Sequence, residues 1–390
     1  MKDKVLILNP GSTSTKIAVY CNDEIIHLES IQHSHEDLAP FAHVQDQKEY
    51  RLEKILNVLD KAGIKLDELI CISARGGLLH PIPGGTYEVN DIMVDEMMHP
   101  KKEHACNLGA LIGKDLADRV GIKSYIVDPV VVDELWPWAR MTGLKEVKRV
   151  CQFHVLNQKA IARKVARVLG KTYEEVNVIV CHIGGGITVG MHRCGKVVDV
   201  NNGLDGDGPM SPERSGGLPN ADVLDLAYNH GLTYEEAYRT MVGKGGFVSH
   251  LGTNDARAVE AMIDNGDEYA KLVFETMAYQ IAKEVGALAT TVNGRVDAIA
   301  LTGGIVYSKR MADWITDRVS FIAPVYRYPG EGEIQALYEG AIIQVDLDNQ
   351  KITADGKTYA IPAIPENLYH IIMDGGLVKS IMKKVEKGLL

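Results

Sequence analysis

The sequence predicts an α/β protein built from mixed β-sheets flanked by helices. Short apolar runs typical of strands alternate with amphipathic stretches typical of helices along most of the 390 residues. In addition, each half of the chain contains a strand, a turn of small residues and a second strand, at 5–20 and at 176–200. Two such turns facing one another would clamp a nucleotide between two similar domains.

Apolar runs of strand length define the predicted sheets. They are Val5–Leu8, Leu69–Ser73, Lys123–Val127, Val176–Ile183, Val296–Leu301 and Ser320–Pro324. The run Ile17–Tyr20 follows the first turn, and beyond the second turn the chain continues through Val189 to a further strand at Val197–Val200.

The first turn, Asn9–Lys16, has the composition of a phosphate-binding loop. Gly11 lets the backbone approach an anion closely, Ser12–Ser14 offer hydroxyl and amide donors, and Lys16 adds positive charge. Because this turn joins two strands, it is not a Walker A loop, which opens a helix. The alternative is an ordinary hairpin turn rich in small polar residues.

Two further glycine turns follow predicted strands. His182 leads into Gly184, Gly185 and Gly186, and the later strand ends at Gly303-Gly304 before an apparent helix. Glycines at these points permit close approach of the backbone to a ligand.

Composition excludes several classes of function. The net charge of -10 and the pI near 5.7 come without any basic stripe, which argues against a nucleic-acid partner. We find no apolar run of signal-peptide or membrane-spanning length, so we expect no membrane partner and a cytoplasmic location. The six cysteines are dispersed without zinc-ligand spacing, which predicts reduced, mostly buried thiols.

The length predicts two or three domains. We expect a first domain at 1–151, a second at 152–330 and an appended tail at 346–390. The tail has two short extended pieces around Gly356, a stretch punctuated by Pro362 and Pro365, and a basic terminal helix.

Several motifs in one order resemble the butyrate kinases, which belong with the acetate kinases. The motifs are Asn9–Lys16, Ala74–Leu79, Gly203–Pro209, Ser211–Pro219 and Tyr328–Glu333. The resemblance covers residues 4–345 and implies duplicated actin-like (ribonuclease H-like) domains with an interdomain nucleotide cleft, the helix 331–345 packing back on the first domain. It further implies reversible phosphoryl transfer from ATP to a short-chain carboxylate, with ATP and Mg²⁺ as cofactors, in a homo-oligomer.

The resemblance implies three catalytic residues. Arg75 would lie beside the carboxylate, Arg214 beside the transferring phosphoryl group, and His154 would hydrogen-bond that group in flight. The chemistry needs such groups, because the acid is already an anion at neutral pH and its obstacle is repulsion by the γ-phosphate. The sequence departs from acetate kinases at Gln158, where they carry a second histidine, and at Gly185, where they carry asparagine.

The resemblance also implies binding roles. Phosphate and nucleotide contacts fall on Asn9, Ser12, Ser14, Lys16, His182, Gly184, Gly185, Gly186, Asp255, Arg257, Gly303 and Gly304. Metal contacts fall on Asp128 and on Glu331 or Glu333. For Asp255 the alternative is a helix N-cap, and both roles are compatible.

Glycines at 76 and 77 replace two bulky residues that follow the corresponding arginine in acetate kinases. We therefore expect a deeper pocket and a preference for butanoate, with isobutanoate, valerate and acetate as alternatives. Two more buried methylenes contribute roughly 1.6 kcal/mol.

The tail resembles the C-terminal end of isopropylmalate dehydratase small subunits, although it carries none of their iron-sulfur ligands. Two other function classes stay open: an ATP-hydrolysing binding protein of the same superfamily, and an assembly role driven by the tail. The set Arg75, Arg214 and His154 favours the carboxylate kinase.

Overall fold

The structure, a computed structural model, describes residues 3–100, 103–348, 351–354 and 357–360. Its strands are β1 Lys4–Pro10, β2 Ser14–Cys21, β3 Glu24–Gln32, β4 Leu69–Ala74, β5 Thr86–Glu88, β6 Lys123–Val127, β7 Asn177–Ile183, β8 Ile187–Arg193, β9 Lys196–Val200, β10 Ala298–Gly303, β11 Val325–Pro329, β12 Lys351–Ala354 and β13 Lys357–Ala360. Its helices are α1 His35–Leu38, α2 Lys48–Lys61, α3 Asp91–Met98, α4 Asn107–Val120, α5 Pro137–Arg140, α6 Val155–Val168, α7 Asn220–Tyr228, α8 Tyr234–Met241, α9 Gly246–Leu251, α10 Ala256–Asp264, α11 Glu268–Thr291, α12 Lys309–Val319 and α13 Glu333–Asp348.

Two large sheets share one topology. The first has the order β3-β2-β1-β4-β6-β5 and the second the order β11-β10-β7-β8-β9. In each, the opening strand pairs antiparallel with the strand after the turn and parallel with a later strand, as β1 does with β2 and β4, and β7 with β8 and β10. The α/β class with two mixed sheets and the repeated strand-turn-strand unit are thereby confirmed.

Helices cover both sheets with apolar faces. In the first half, Leu6 and Leu8 of β1 pack with Ile55 of α2 and Leu108 of α4, all at most 1% exposed. In the second half, α11 and α12 cover one face of the sheet and α6 the other. Because the central strands β1, β4, β7 and β10 are buried, they read as nearly continuous apolar runs.

The described residues correct two expectations. The predicted strand Ser320–Pro324 is wrong: Ser320 caps the end of α12, the chain then turns with Ile322 N donating to Val319 O, and strand β11 begins at Val325. The sequence reading also missed β3, an edge strand whose outward side chains interrupt its apolar pattern.

The chain divides into two compact units, Met1–Tyr338 and Glu339–Leu390. In the first unit, the start of α13 packs on the first sheet, where Tyr338 stacks on Tyr20 with ring centroids 3.9 Å apart. In the second unit, the two extended pieces around Gly356 are the antiparallel pair β12 and β13. The predicted terminal helix and the Pro362 and Pro365 stretch lie outside the described residues, and the domain bounds themselves stay predictions.

Among the described residues, we find no helix with the length and apolar character needed to cross a bilayer.

Candidate active site

A buried arginine holds the backbone of the first turn, Asn9–Lys16, by hydrogen bonds. Arg51 of α2 is 1% exposed and donates from Nη1 to Gly11 O at 2.8 Å and from Nη2 to Ser12 O at 2.9 Å. It also donates to Ser14 O at 3.2 Å. These three backbone carbonyls accept hydrogen bonds from Arg51, and the side chains of Ser12 and Lys16 are exposed on the turn. The exposed groups of the turn therefore include hydrogen-bond donors. No motif in the sequence points to Arg51, because only the fold brings α2 next to the turn.

The same arginine is almost fully buried, although its guanidinium is surrounded by hydrogen-bond acceptors. Burial lowers the pKa of Arg51 to about 10, so it stays charged at neutral pH. Beside it, Thr15 Oγ1 lies 2.9 Å from His33 Nε2. Burial, and then the charge of Arg51, lower the pKa of His33 to about 4, which keeps this imidazole neutral.

Glu333 joins the first turn to the predicted carboxylate arginine. Its Oε2 accepts from Asn9 Nδ2 at 2.7 Å and lies 3.5 Å from Arg75 Nη1. Glu331 and Glu333 line one depression together with Asn9 and Lys16. Burial, and then the charge of Glu333, raise the pKa of Glu331.

A small cavity of about 20 Å³ lies at the predicted catalytic residues. Arg75, His154, Asp128 and Glu333 line it, and so do the apolar side chains Val130, Phe153, Val155 and Leu156. The structure therefore brings together a cation, an imidazole and an apolar wall.

Asp128 is fully occupied by protein contacts. Its Oδ2 accepts from Arg163 Nη2 at 2.7 Å and its Oδ1 accepts from Gly85 N at 2.9 Å. Its backbone has φ 39°, in the left-handed region, and its N donates to Gly85 O at 2.8 Å. These contacts fix Asp128 at the end of β6 as an anchor for the neighbouring loop.

His154 and His182 form a stacked pair of imidazoles. The ring centroids are 3.7 Å apart and the planes differ by 9°. Burial, then the His182 ring, then the charges of Arg75 and Arg214, hold the pKa of His154 well below its usual range. Burial, followed by the charge of Arg75, lowers the pKa of His182 to about 4. Both rings are therefore neutral at physiological pH.

Arg214 lies over the second turn. A Cβ added at Gly186 would lie 1.7 Å from Arg214 Nη1, so only glycine leaves room for the guanidinium there. Within the described part of the chain, Arg214 Nε is buried without a hydrogen-bond partner. The turn itself is closed by Gly184 N donating to Gly186 O at 3.1 Å. An unpaired buried cationic donor over a glycine turn is suited to an anionic ligand.

A larger cavity of about 540 Å³ contains four of the twelve predicted phosphate and nucleotide residues, namely Gly185, Asp255, Arg257 and Gly304. Its lining comprises Gly185, Pro212, Asn254, Asp255, Ala256, Arg257, Glu260, Gly304, Ile305, Tyr307 and Ser308. This volume is within the range of small-molecule sites.

Individual residues at this cavity have distinct roles. Asp255 is the N-cap of α10, accepting from Arg257 N at 2.9 Å, and its carboxylate also holds the exposed Arg257 guanidinium with Nη2 at 3.0 Å. Gly304 lines the cavity, whereas Gly303 has φ 95° and a Cβ there would lie 2.4 Å from Ile183 O. Gly303 therefore allows the close approach of β10 to β7.

The expectation that Gly76 and Gly77 deepen the acid pocket is wrong. A Cβ at Gly76 would lie 2.6 Å from Pro129 Cβ, and one at Gly77 would lie 2.7 Å from both Asn107 Oδ1 and Met97 Sδ. Neighbouring side chains already fill the space that these glycines vacate.

The described residues contain no cluster of three or more His, Cys, Asp or Glu that would hold a metal by protein groups alone. Glu331 and Glu333 are the adjacent pair of carboxyl groups that the site offers.

Comparisons with known proteins agree with this arrangement. Residues 139–316 match the model of the acetokinase family. The acetate kinase of Porphyromonas gingivalis is similar in structure, with 21% identity, a TM-score of 0.74, and 88% of this chain and 100% of that chain covered. A propionate kinase from Francisella tularensis subsp. tularensis SCHU S4 gives 18% identity, a TM-score of 0.68 and coverage of 87% and 98%. The acetate kinase of Entamoeba histolytica has 16% identity and a TM-score of 0.69, with 87% of this chain and 99% of that chain covered. At these identities the structural likeness establishes the fold alone, an α/β protein with two mixed sheets flanked by helices.

Proposed function

Because residues 139–316 carry the sequence pattern of the acetokinase family, we propose that this chain transfers the γ-phosphoryl group of ATP to butanoate, reversibly, giving butanoyl phosphate and ADP. The match to the acetokinase family model supports the coarser activity, that of a carboxylate kinase, a phosphotransferase whose acceptor is a carboxyl group and whose donor is ATP. The identity of the acid, the metal and the role of each residue belong to the proposal.

The observation that supports the proposal most strongly is the convergence of cations on a neutral imidazole at a cavity with an apolar wall. Arg75 and His154 line that cavity, and Arg214 lies close enough for its charge to lower the pKa of His154. This set suits an anionic acceptor with a short alkyl chain.

The proposed mechanism needs no general base, because the carboxylate is already deprotonated. Arg75 binds the carboxylate and offsets its repulsion by the phosphate. Arg214, with its unpaired buried Nε, stabilises the negative charge on the phosphoryl oxygens during transfer. His154 donates a hydrogen bond to the same group without adding a charge.

Nucleotide binding is assigned to the larger cavity and the two turns. The backbone amides of Ser12, Thr13, Gly185 and Gly186 would bind the phosphates, since Gly11 N and Gly184 N already donate within their own turns. Gly185 and Gly304 line the cavity proposed for the nucleoside. Arg257, held by Asp255, is placed to stack on the base.

Mg²⁺ fits the Glu331 and Glu333 pair better than it fits Asp128. Burial, followed by the charge of Glu333, raises the pKa of Glu331, and a divalent cation would offset both effects. Both oxygens of Asp128, in contrast, already accept hydrogen bonds. When bound, Mg²⁺ neutralises phosphate charge.

Butanoate is proposed because the cavity wall is apolar. Val130, Phe153, Val155 and Leu156 line the cavity and would contact an alkyl chain. Since the cavity measures about 20 Å³ in this structure, it must widen to admit the acid, and each methylene then buried contributes about 0.8 kcal/mol. Acetate and propionate are the competing acceptors. The cytoplasmic location, the homo-oligomer and the role of the tail stay predictions.

The test traps acyl phosphate with hydroxylamine in the presence of Mg-ATP. Acetate, propionate, butanoate and isobutanoate are compared on the full-length chain, with Arg214→Ala as the inactive variant and the exposed Arg119→Ala as the matched control. The highest kcat/KM with butanoate, lost in Arg214→Ala alone, supports the proposal. A higher kcat/KM with acetate would reject butanoate, and ATP hydrolysis without hydroxamate would favour a binding ATPase.

A further inference from the structure

A buried chain of hydrogen bonds runs from the second sheet to His154. Thr188 and His192 lie on the face of β8 that packs against α6, and Gln158 of α6 lies between them; all three are 0% exposed. Tyr173 Oη lies 2.7 Å from His192 Nδ1, and His192 Nε2 lies 3.1 Å from Gln158 Oε1. Gln158 Nε2 lies 2.7 Å from Thr188 Oγ1, which lies 2.9 Å from His154 Nδ1.

Glycine makes room for this chain. Gly190 occupies the position between Thr188 and His192 on the same face of β8, and a Cβ there would lie 2.4 Å from Gln158 Oε1. The amide of Gln158 therefore occupies space that any other residue would fill.

A backbone carbonyl determines which group donates and which accepts along this chain of hydrogen bonds. Gln158 Nε2 also lies 3.0 Å from Thr188 O, and a carbonyl only accepts. The amide nitrogen must therefore face Thr188, and the amide oxygen must face His192. A neutral His192 then donates from Nε2 and accepts at Nδ1 from the Tyr173 hydroxyl.

The same logic sets the proton on His154. Thr188 Oγ1 accepts from Gln158, so its hydroxyl hydrogen is available to His154 Nδ1, the other polar atom beside it. A neutral imidazole that accepts at Nδ1 carries its proton on Nε2.

His182 receives the opposite tautomer. The amide nitrogen of Asn157 donates to the backbone carbonyl of Glu331, so Asn157 Oδ1 must accept from His182 Nδ1, which lies 2.8 Å away. The proton of His182 is thus on Nδ1, and its Nε2 has a lone pair.

We propose that Gln158 is a positioning residue that acts through Thr188 to hold His154 as the Nε2–H tautomer, the form that donates to the phosphoryl group. Asn157 holds the stacked His182 as the Nδ1–H tautomer, so the pair presents one donor and one acceptor. The role of His154 as a donor to the phosphoryl group rests on the proposed function, whereas the assignment of the two tautomers does not.

The decisive measurement is the protonation site of each ring. Full-length protein with ring-¹⁵N histidine is studied near neutral pH by long-range ¹H–¹⁵N correlation, which separates N–H nitrogens from lone-pair nitrogens. His154→Gln and His182→Gln spectra assign the two rings. We expect the proton of His154 on Nε2 and that of His182 on Nδ1. A proton on Nδ1 of His154 would overturn the proposal, and this result is read without turnover.

Two variants test whether the chain of hydrogen bonds determines the tautomer of His154. Thr188→Val removes the hydroxyl at similar volume, and Gln158→Met removes the amide; each is expected to give mixed tautomers at His154 and a fall in kcat of about tenfold with KM for ATP unchanged. Thr188→Ser, which keeps a hydroxyl, is expected to keep the Nε2–H signal. If Thr188→Val does not fold, Gln158→Met carries the test. If the folded variants showed the same His154 ring signals and the same kcat as the wild type, the proposed role of Gln158 would be overturned.

Discussion

His154 and His182 stack with their ring planes 9° from parallel and their centroids 3.7 Å apart, although one residue is the N-cap of helix α6 and the other is the penultimate residue of strand β7. Charging either ring would place an imidazolium beside Arg75, whose charge already lowers both pKa values. The stacked arrangement thus keeps His154 a neutral hydrogen-bond donor close to the charges of Arg75 and Arg214. Its geometry leads to the first two predictions.

Replacing His154 with alanine is expected to lower kcat about a hundredfold with little change in KM for ATP. The reason is that His154 is proposed to contact the phosphoryl group only during transfer. The measurement is hydroxamate formation with butanoate. His99→Ala, an exposed histidine, is the matched control and should retain wild-type kcat. A fall confined to KM would contradict a role in the transfer step.

Folding stability is expected to fall on acidification because of His182. Its folded pKa of about 4 lies below the unfolded value of about 6.5, so between these values the unfolded chain binds more protons than the folded one. Stability is therefore complete above the unfolded pKa and declines as pH falls toward the folded pKa.

His182 alone accounts for about 2 kcal/mol of unfolding free energy between about pH 7 and about pH 5. Urea unfolding of the wild type and of His182→Asn at both pH values gives this quantity as a difference of differences. Equal pH dependence in the two proteins would show that His182 titrates normally in the folded state.

Alanine at Gly186 is expected to displace the guanidinium of Arg214. The new Cβ would lie 1.7 Å from Nη1, so kcat should fall toward that of Arg214→Ala, about a hundredfold or more. Gly286→Ala, where a Cβ meets nothing within 4 Å, is the glycine control, and in helix α11 it should be neutral or stabilising by about 0.5 to 1 kcal/mol. Steady-state kinetics and thermal unfolding distinguish the two sites. Full activity in Gly186→Ala would mean that Arg214 is not held there during catalysis.

Lysine at Arg51 is expected to destabilise the protein and weaken ATP binding together. A lysine cannot reproduce the bonds from Nη1 and Nη2 to the carbonyls of Gly11 and Ser12, and on the order of 3 kcal/mol of unfolding free energy should be lost. Urea unfolding and KM for ATP are measured beside Arg119→Lys, an exposed control. A stable variant with unchanged KM would show that the turn holds its shape without Arg51.

The sequence predicted those features that depend on local chemistry. The small-residue turns after β1 and β7 are where Asn9–Lys16 and Gly184–Gly186 placed them, and Asp255 caps α10 as its position suggested. The strand at 320–324 was wrong because a helix end and its turn can carry the same apolar residues as a strand.

Features that depend on distant contacts were not predicted. Arg51 reaches the first turn from α2, and Gln158 meets Thr188 and His192 only because α6 packs on β8. Gly76 and Gly77 suggested a larger pocket, yet Met97, Asn107 and Pro129 fill that space. No spacing in the chain encodes such contacts.

Packing at the start of α13 has a consequence for the nascent chain. Tyr20 donates to Gln335 at 2.8 Å across 315 residues, and Tyr338 stacks on Tyr20. At translation rates of about 5 to 20 residues per second, the two partners leave the ribosome roughly 15 to 60 seconds apart. During that interval the first sheet exists without the residues that cover Tyr20. The earliest part of the protein to be made is therefore among the last to be completed.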